Sequence, residues 1–180
     1  MKWNKFTHNN VVYDLTHLHP FEWHYTATGV EGKRPEHIYK FHVTFSMHCF
    51  SRDPLAGEKI DHSLWYTAPR EKRLFCFNRH EYSKQLPDII QSLGKRACWH
   101  TRHGNFFTIE VMAKGGEKVE YEVYFDVTRS SRKGGWLNLV IESAYVRTDD
   151  YKSTRPRKRK IRLDVIAYNK RIGKPIRSGR

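Results

Sequence analysis

The sequence predicts an α+β fold with a mainly antiparallel sheet, and three features predict it. EYSKQLPDIIQSLG (81–94) carries helical periodicity. Four apolar, alternating stretches follow it between residues 95 and 147. The connections between them, HG, AKGGEK and SSRKGG, are turn material too short for parallel crossovers. Together they give a helix followed by a four-stranded meander over 79–147, with additional N-terminal strands and a basic C-terminal segment.

The elements follow in chain order. Residues 1–40 read as short strands or loops held by aromatics, with Pro20 and Gly29 as breakers. FHVTFSMHCF (41–50) alternates, with Phe41, Val43, Phe45, Met47 and Cys49 on one side and His42, Thr44, Ser46 and His48 on the other. That is a strand with one buried face. Residues 51–73 are polar and punctuated by Pro54, Gly57 and Pro69. They predict a long loop with a short strand at Ser63–Thr67. In the helix, Tyr82, Leu86, Ile89, Ile90 and Leu93 form the stripe, and Gly94 suits a C-terminal cap. Pro87 cannot sit in a helix interior, so it either opens a second short helix or kinks the first. The strands are then 95–101, 105–112, 119–128 and 136–147. In 161–169, Ile161, Leu163, Val165 and Ala167 alternate and predict one more strand.

Composition bounds the class. Hydrophobic residues are 38% and aromatics 14%, too rich in large apolar side chains for a disordered chain. No run of about 18 apolar residues exists, and the first ten residues hold no apolar signal region, so neither a membrane span nor a secretory signal is expected. Cys49, Cys76 and Cys98 are odd in number and widely spaced. That argues against a disulfide framework and for a reducing cytoplasm.

Net charge is +14, and its location matters more than its size. Residues 151–180 hold twelve of the 33 Lys/Arg but only one of the 19 acids, Asp164. The first 150 residues are therefore near +3, and the last thirty near +11. The division suggests a single α+β domain over 1–150 and a basic segment over 151–180. RPRKRK (155–160) is the densest part. Arg155, Arg157, Lys158, Arg159 and Lys160, followed by Arg162, Lys170 and Arg171, are the expected phosphate ligands, because like charges this close repel without a polyanion. A nucleic acid, RNA favoured over DNA, is the expected partner, and a protein partner with an acidic surface is the alternative. Trp3, Trp23, Trp65, Trp99 and Trp136 could stack on bases if exposed beside the cations.

CWHTRHGN (98–105) is the densest polar turn. His100 and His103 could divide the two proton transfers of RNA cleavage, and Arg102 could stabilise the charged phosphorane. A solvated hairpin turn explains the same residues. Cys98, His100 and His103, with His17 and His19 recruited, are possible metal ligands, but no second ligand pair completes a zinc site. No metal and no cofactor are therefore expected. NRHEY (78–82) places His80 at a helix start, where exposed N–H groups favour anions. In IESAYVRTDD, Ile141, Ser143 and Tyr145 are expected to share a face, with Arg147 following.

A helix followed by a meander over 79–147, ending in LVIESAYVR, resembles the metal-independent RNases grouped around barnase, EndoU, colicin and RelE. That resemblance implies an endoribonuclease of toxin or defence type. His80, His100, Arg102, His103, Tyr145 and Arg147 are then the catalytic candidates. The alternatives are a non-catalytic DNA- or RNA-binding protein of a phage or mobile element, and a protein-interaction module with a basic docking tail.

Overall fold

A two-residue turn opens the chain. Asn9 and Asn10 both adopt left-handed φ (47° and 61°), the geometry of a tight hairpin, and join β1 (Phe6–His8) to β2 (Val11–Tyr13). The computed structural model describes residues 1–29, 31–32, 35–101, 104–114, 117–147 and 159–176, apart from the side chains of 110–114 and 117.

Next come β3 (Phe21–Ala27) and β4 (His37–Phe45), an antiparallel pair. β4 alternates as expected over Phe41, Val43 and Phe45, but it stops there. Met47 and Cys49 are buried from a 3-10 turn, Met47–Cys49, for which the Ser46 hydroxyl accepts the His48 N–H at 3.2 Å. The stretch expected as a long loop forms a small antiparallel sheet, β5 (Ser51–Arg52), β6 (Trp65–Ala68) and β7 (Glu71–Phe75), ordered β5-β7-β6.

The expected helix is two helices, α1 (Phe77–Ser83) and α2 (Leu86–Gln91). Pro87 lies in the first turn of α2, where a missing N–H costs nothing. Gly94 does not cap α2. It lies in the 3-10 turn Leu93–Lys95, where an added Cβ would collide with the Tyr25 ring, so close packing explains it.

β8 (Cys98–His100), β9 (Phe106–Lys114), β10 (Glu117–Arg129) and β11 (Trp136–Val146) lie side by side and antiparallel. The large sheet has seven strands in the order β12-β8-β9-β10-β11-β4-β3, with β12 at Arg159–Ile161. One contact, β11 with β4, is parallel, and residues 46–135 form the long crossover it needs. The architecture is thus α+β with a mixed, mostly antiparallel sheet.

Register places the core. Phe41 lies opposite Leu137, Val43 opposite Leu139, and Phe125 between Ile141 and Phe106, all essentially fully buried. Glu142 is an extra residue, because Tyr124 pairs with Ser143 but Phe125 pairs with Ile141. This bulge reverses the alternation. Ile141 and Ala144 face the core, whereas Ser143 and Tyr145 point to the other side. The three residues expected on one face are therefore split.

The core does not end at residue 150. β12 pairs with β8, and α3 (Leu163–Ile172) buries Leu163, Ile166 and Ala167 in the same apolar cluster. The strand expected over 161–169 is thus a helix from Leu163 on. Its apolar residues also satisfy a helical period, Asp164 sits in its first turn, and Gly173 closes it with φ 72°.

Candidate functional site

β12 is an edge strand carrying cations. Its register sets Arg159 opposite His100, Lys160 opposite Trp99, and Ile161 opposite Cys98. Beside it, α3 and residues 174–176 complete a cavity of about 570 Å3 lined by His100, Arg159, Lys160, Arg162, Asn169 and Lys174, with Ile161, Val165, Pro175 and Ile176 as its apolar part. No acidic residue is among its described lining residues.

His100 is the unusual member. It is 6% exposed and edge-on to Phe106 at 5.2 Å, and neither ring nitrogen has a hydrogen-bond partner. A buried polar group left so costs about 1–3 kcal/mol. Its polar neighbours are matched elsewhere. The Thr101 N–H donates to the Asn105 carbonyl at 2.9 Å, and the Asn105 amide donates to Glu142.

The cations differ in how far they are already used. Arg162 forms two hydrogen bonds to Asp164, at 3.0 and 2.8 Å, and holds that buried carboxylate at the start of α3. Lys170 reaches Asp126 at 3.1 Å, and Arg171 contacts His37. Among the described residues, Arg159, Lys160 and Lys174 have no carboxylate partner. Arg102, His103, Arg155, Arg157 and Lys158 lie outside the described residues.

The remaining candidates sit elsewhere. His80 packs in α1 against Tyr13 and Phe75, and its Nε2–H donates to the Asp14 carbonyl at 2.8 Å. His17 is 5.7 Å from it, ring to ring, and bonds Ser83 Oγ at 2.8 Å. That hydroxyl in turn donates to the His80 carbonyl at 2.7 Å. Burial, then the neighbouring His80, pushes the His17 imidazole down to about 4. His80 thus belongs to a hydrogen-bonded cluster built from α1 and the N-terminal segment, and it does not line the β12 cavity.

Tyr145 and Arg147 come together on the far face of the sheet. Trp99, Phe107, Tyr124 and Tyr145, one from each strand β8 to β11, stack in a row with centroids 5.5, 5.3 and 5.7 Å apart. Arg79 lies over the Tyr145 ring at 5.4 Å. Glu122, fully buried, accepts from the Tyr124 hydroxyl at 2.7 Å and pairs with Arg147 at 2.8 Å. Phe107 is buried as well, so the middle of this row is not an open stacking surface. Of the tryptophans, Trp99 is half-buried beside a basic strand. Trp3 is a core residue donating to the Phe45 carbonyl, and Trp23 stacks on Phe41. Trp136 is covered by Arg132, and Trp65 by Lys72.

Glu122 was not singled out from sequence. Glu122 lies within an alternating strand, and nothing local says that its outward face is covered. Cys98 lies two residues from His100 on the same side of β8, but burial pushes its thiol up to about 12, which disfavours the thiolate a metal needs. Among the described residues no group of three His, Cys, Asp or Glu could hold a metal ion, and no helix is long and apolar enough to cross a membrane.

Comparison with known proteins bears on the whole chain. The YjaZ family model matches residues 5–171. Protein YjaZ of Escherichia coli strain K12 is 33% identical over 171 residues, covering 93% of this chain and 90% of the relative. No solved structure matches it. The matched region runs from β1 to the end of α3, and on that extent and that identity the chain belongs to the YjaZ family.

Proposed function

We propose that this protein is directed at nucleic acid, with RNA favoured over DNA, and that the basic segment 151–180 grips the phosphate backbone in a reducing cytoplasm where its three cysteines remain thiols. One observation carries the reading. The basic edge strand β12 is docked on β8 so that Arg159, Lys160 and Lys174, none paired with a carboxylate among the described residues, gather around one cavity. Cations held together without counter-charges favour a polyanion, and neutralising phosphates releases condensed counterions.

A sharper form of the proposal is metal-independent RNA cleavage of toxin or defence type. The orphaned imidazole of His100 beside Arg159 favours it, since one group could carry a proton and the other stabilise charge. Cleavage needs a second proton carrier, and His103, the sequence candidate for it, lies outside the described residues. His80 lies in another cluster, and Arg147 is already paired with Glu122.

The test is binding of labelled single-stranded RNA and duplex DNA in EDTA across a salt series. We expect affinity to fall steeply with salt, and Arg159→Ala/Lys160→Ala to flatten that dependence by about one unit of slope per cation removed. RNA cut in EDTA by the wild type and not by His100→Asn adds the catalytic form. Salt-insensitive or absent binding rejects the reading and leaves the docking module.

A further inference from the structure

We infer that the cavity between β12, β8 and α3 receives a terminal phosphate monoester, with His100 on its inner wall. The inference rests on the phosphate-binding part of the reading above and narrows it from a running backbone to a chain end.

Three observations lead there. The first is the His100 ring, which is nine-tenths buried and always carries at least one N–H, yet has no partner for either nitrogen. Native structures leave few such groups, and each calls for an explanation. A ligand oxygen entering this cavity is the partner its surroundings do not supply.

The second is charge. Asp164 matches Arg162, which leaves Arg159, on the same side of the sheet as His100, and Lys174 to face whatever enters, while Lys160, opposite Trp99, lines the rim from the other side of β12; no acid is among the described lining residues. An internal phosphodiester carries one negative charge. A terminal monoester carries about −1.5 to −2 at pH 7 and offers three strong acceptor oxygens. The arginine fork, the Lys174 ammonium and an imidazole N–H suit the second group better than the first.

The third is shape. The cavity is walled by a strand, a helix and the segment 174–176, and His100 contributes from β8. A diester within a chain must continue from two of its oxygens and needs an open groove. A monoester continues from one. A smaller space of about 240 Å3 shares Lys174, Pro175 and Ile176 with the main cavity and extends to Gly104 and Gly173. The group esterified to the phosphate can lie there.

Such an end could belong to an oligonucleotide or to a small phosphorylated metabolite. The experiment separates the two. Full-length protein is titrated at fixed ionic strength against a labelled ten-nucleotide RNA bearing a 5′-phosphate, a 3′-phosphate or hydroxyls at both ends. Inorganic phosphate serves as competitor. One phosphorylated end is expected to bind about tenfold more tightly than the hydroxyl form, the size of a single charge-assisted contact. Phosphate should remove that increment and leave the rest. Lys174→Ala, an exposed position, should lose the increment while folding normally. His100→Asn should do the same. Should that variant fail to fold, the ring-nitrogen resonances of His100 in 15N-histidine-labelled wild type provide the readout, and they should shift when inorganic phosphate is added. Equal, salt-sensitive affinity for all three RNAs, with His100 unmoved, overturns the monoester pocket and leaves the nucleic-acid reading standing. No RNA binding, with phosphate saturating the protein and shifting His100, supports the pocket with a small metabolite as its source and overturns the nucleic-acid reading. Neither binding nor shift overturns both.

Discussion

His17 shows how one half-buried ring couples stability to acidity. An unfolded histidine titrates near 6.5. In the folded chain, burial, then His80, pushes His17 down to about 4. Between these values the unfolded chain binds a proton that the folded one refuses. The contribution is therefore complete above about pH 6.5 and is lost as pH falls toward 4. We expect the urea midpoint to drop from pH 7 to pH 5, and to drop less in His17→Gln. Glu58, held at about 2 chiefly by its hydrogen bond to Arg52, acts only at lower pH, so the two windows are separable. An identical loss in both proteins would remove His17 as the cause. His100, more deeply buried than His17 and without any partner, has no such structural role to explain it, which is why it directs attention to a ligand.

Neighbouring strands are tied by charge as well as by backbone bonds. Glu122 on β10 is fully buried, and its ion pair with Arg147, just past β11, is almost as enclosed. Removing one member leaves an uncompensated buried charge, worth about 3–5 kcal/mol. Arg147→Met should therefore lower stability by about that amount, and Arg147→Met/Glu122→Leu should recover most of it. Denaturant unfolding of the two variants and wild type checks this. If Arg147→Met costs nothing, Arg147 is not needed by Glu122 and becomes available for the catalytic role that the RNase resemblance implied. Elements of this kind were partly legible. The alternation around Phe41, the apolar runs of β9 to β11 and the break at Pro87 could all be read, because each is written in a period of two or 3.6 residues. The Asn9–Asn10 turn was equally local and was passed over. α3 misled for the opposite reason: Leu163, Val165 and Ala167 alternate, while Leu163, Ile166 and Ala167 fit one face of a helix. So short a stretch supports both periods until packing chooses.

Across the whole molecule, residues 159–176 of the basic C-terminal segment are part of the fold. Leu163, Ile166 and Ala167 enter the same apolar cluster as Phe106 and Leu137. Ile166→Ala should cost about 2–5 kcal/mol. In a chain of this size each of those kcal/mol corresponds to a fall of about 2–4 °C in Tm. Were 151–180 an arm outside the core, the substitution would stay within about 0.5 kcal/mol. Thermal unfolding distinguishes the two.

Short-range patterns specified the class, most strands, the paired helices and the concentration of positive charge, since hydrophobic period and net charge are properties of neighbouring residues. Three matters were settled only by tertiary structure. β4 joins β11 in parallel across residues 46–135, β12 covers the edge at β8, and Glu142 bulges so that Tyr145 turns from the core. Each depends on which surfaces bury one another over long chain separations, and no local period encodes that. The same holds for the site. The sequence listed cations and histidines, but only packing gave Arg162 to Asp164 and Arg147 to Glu122, and left His100 unpartnered beside Arg159.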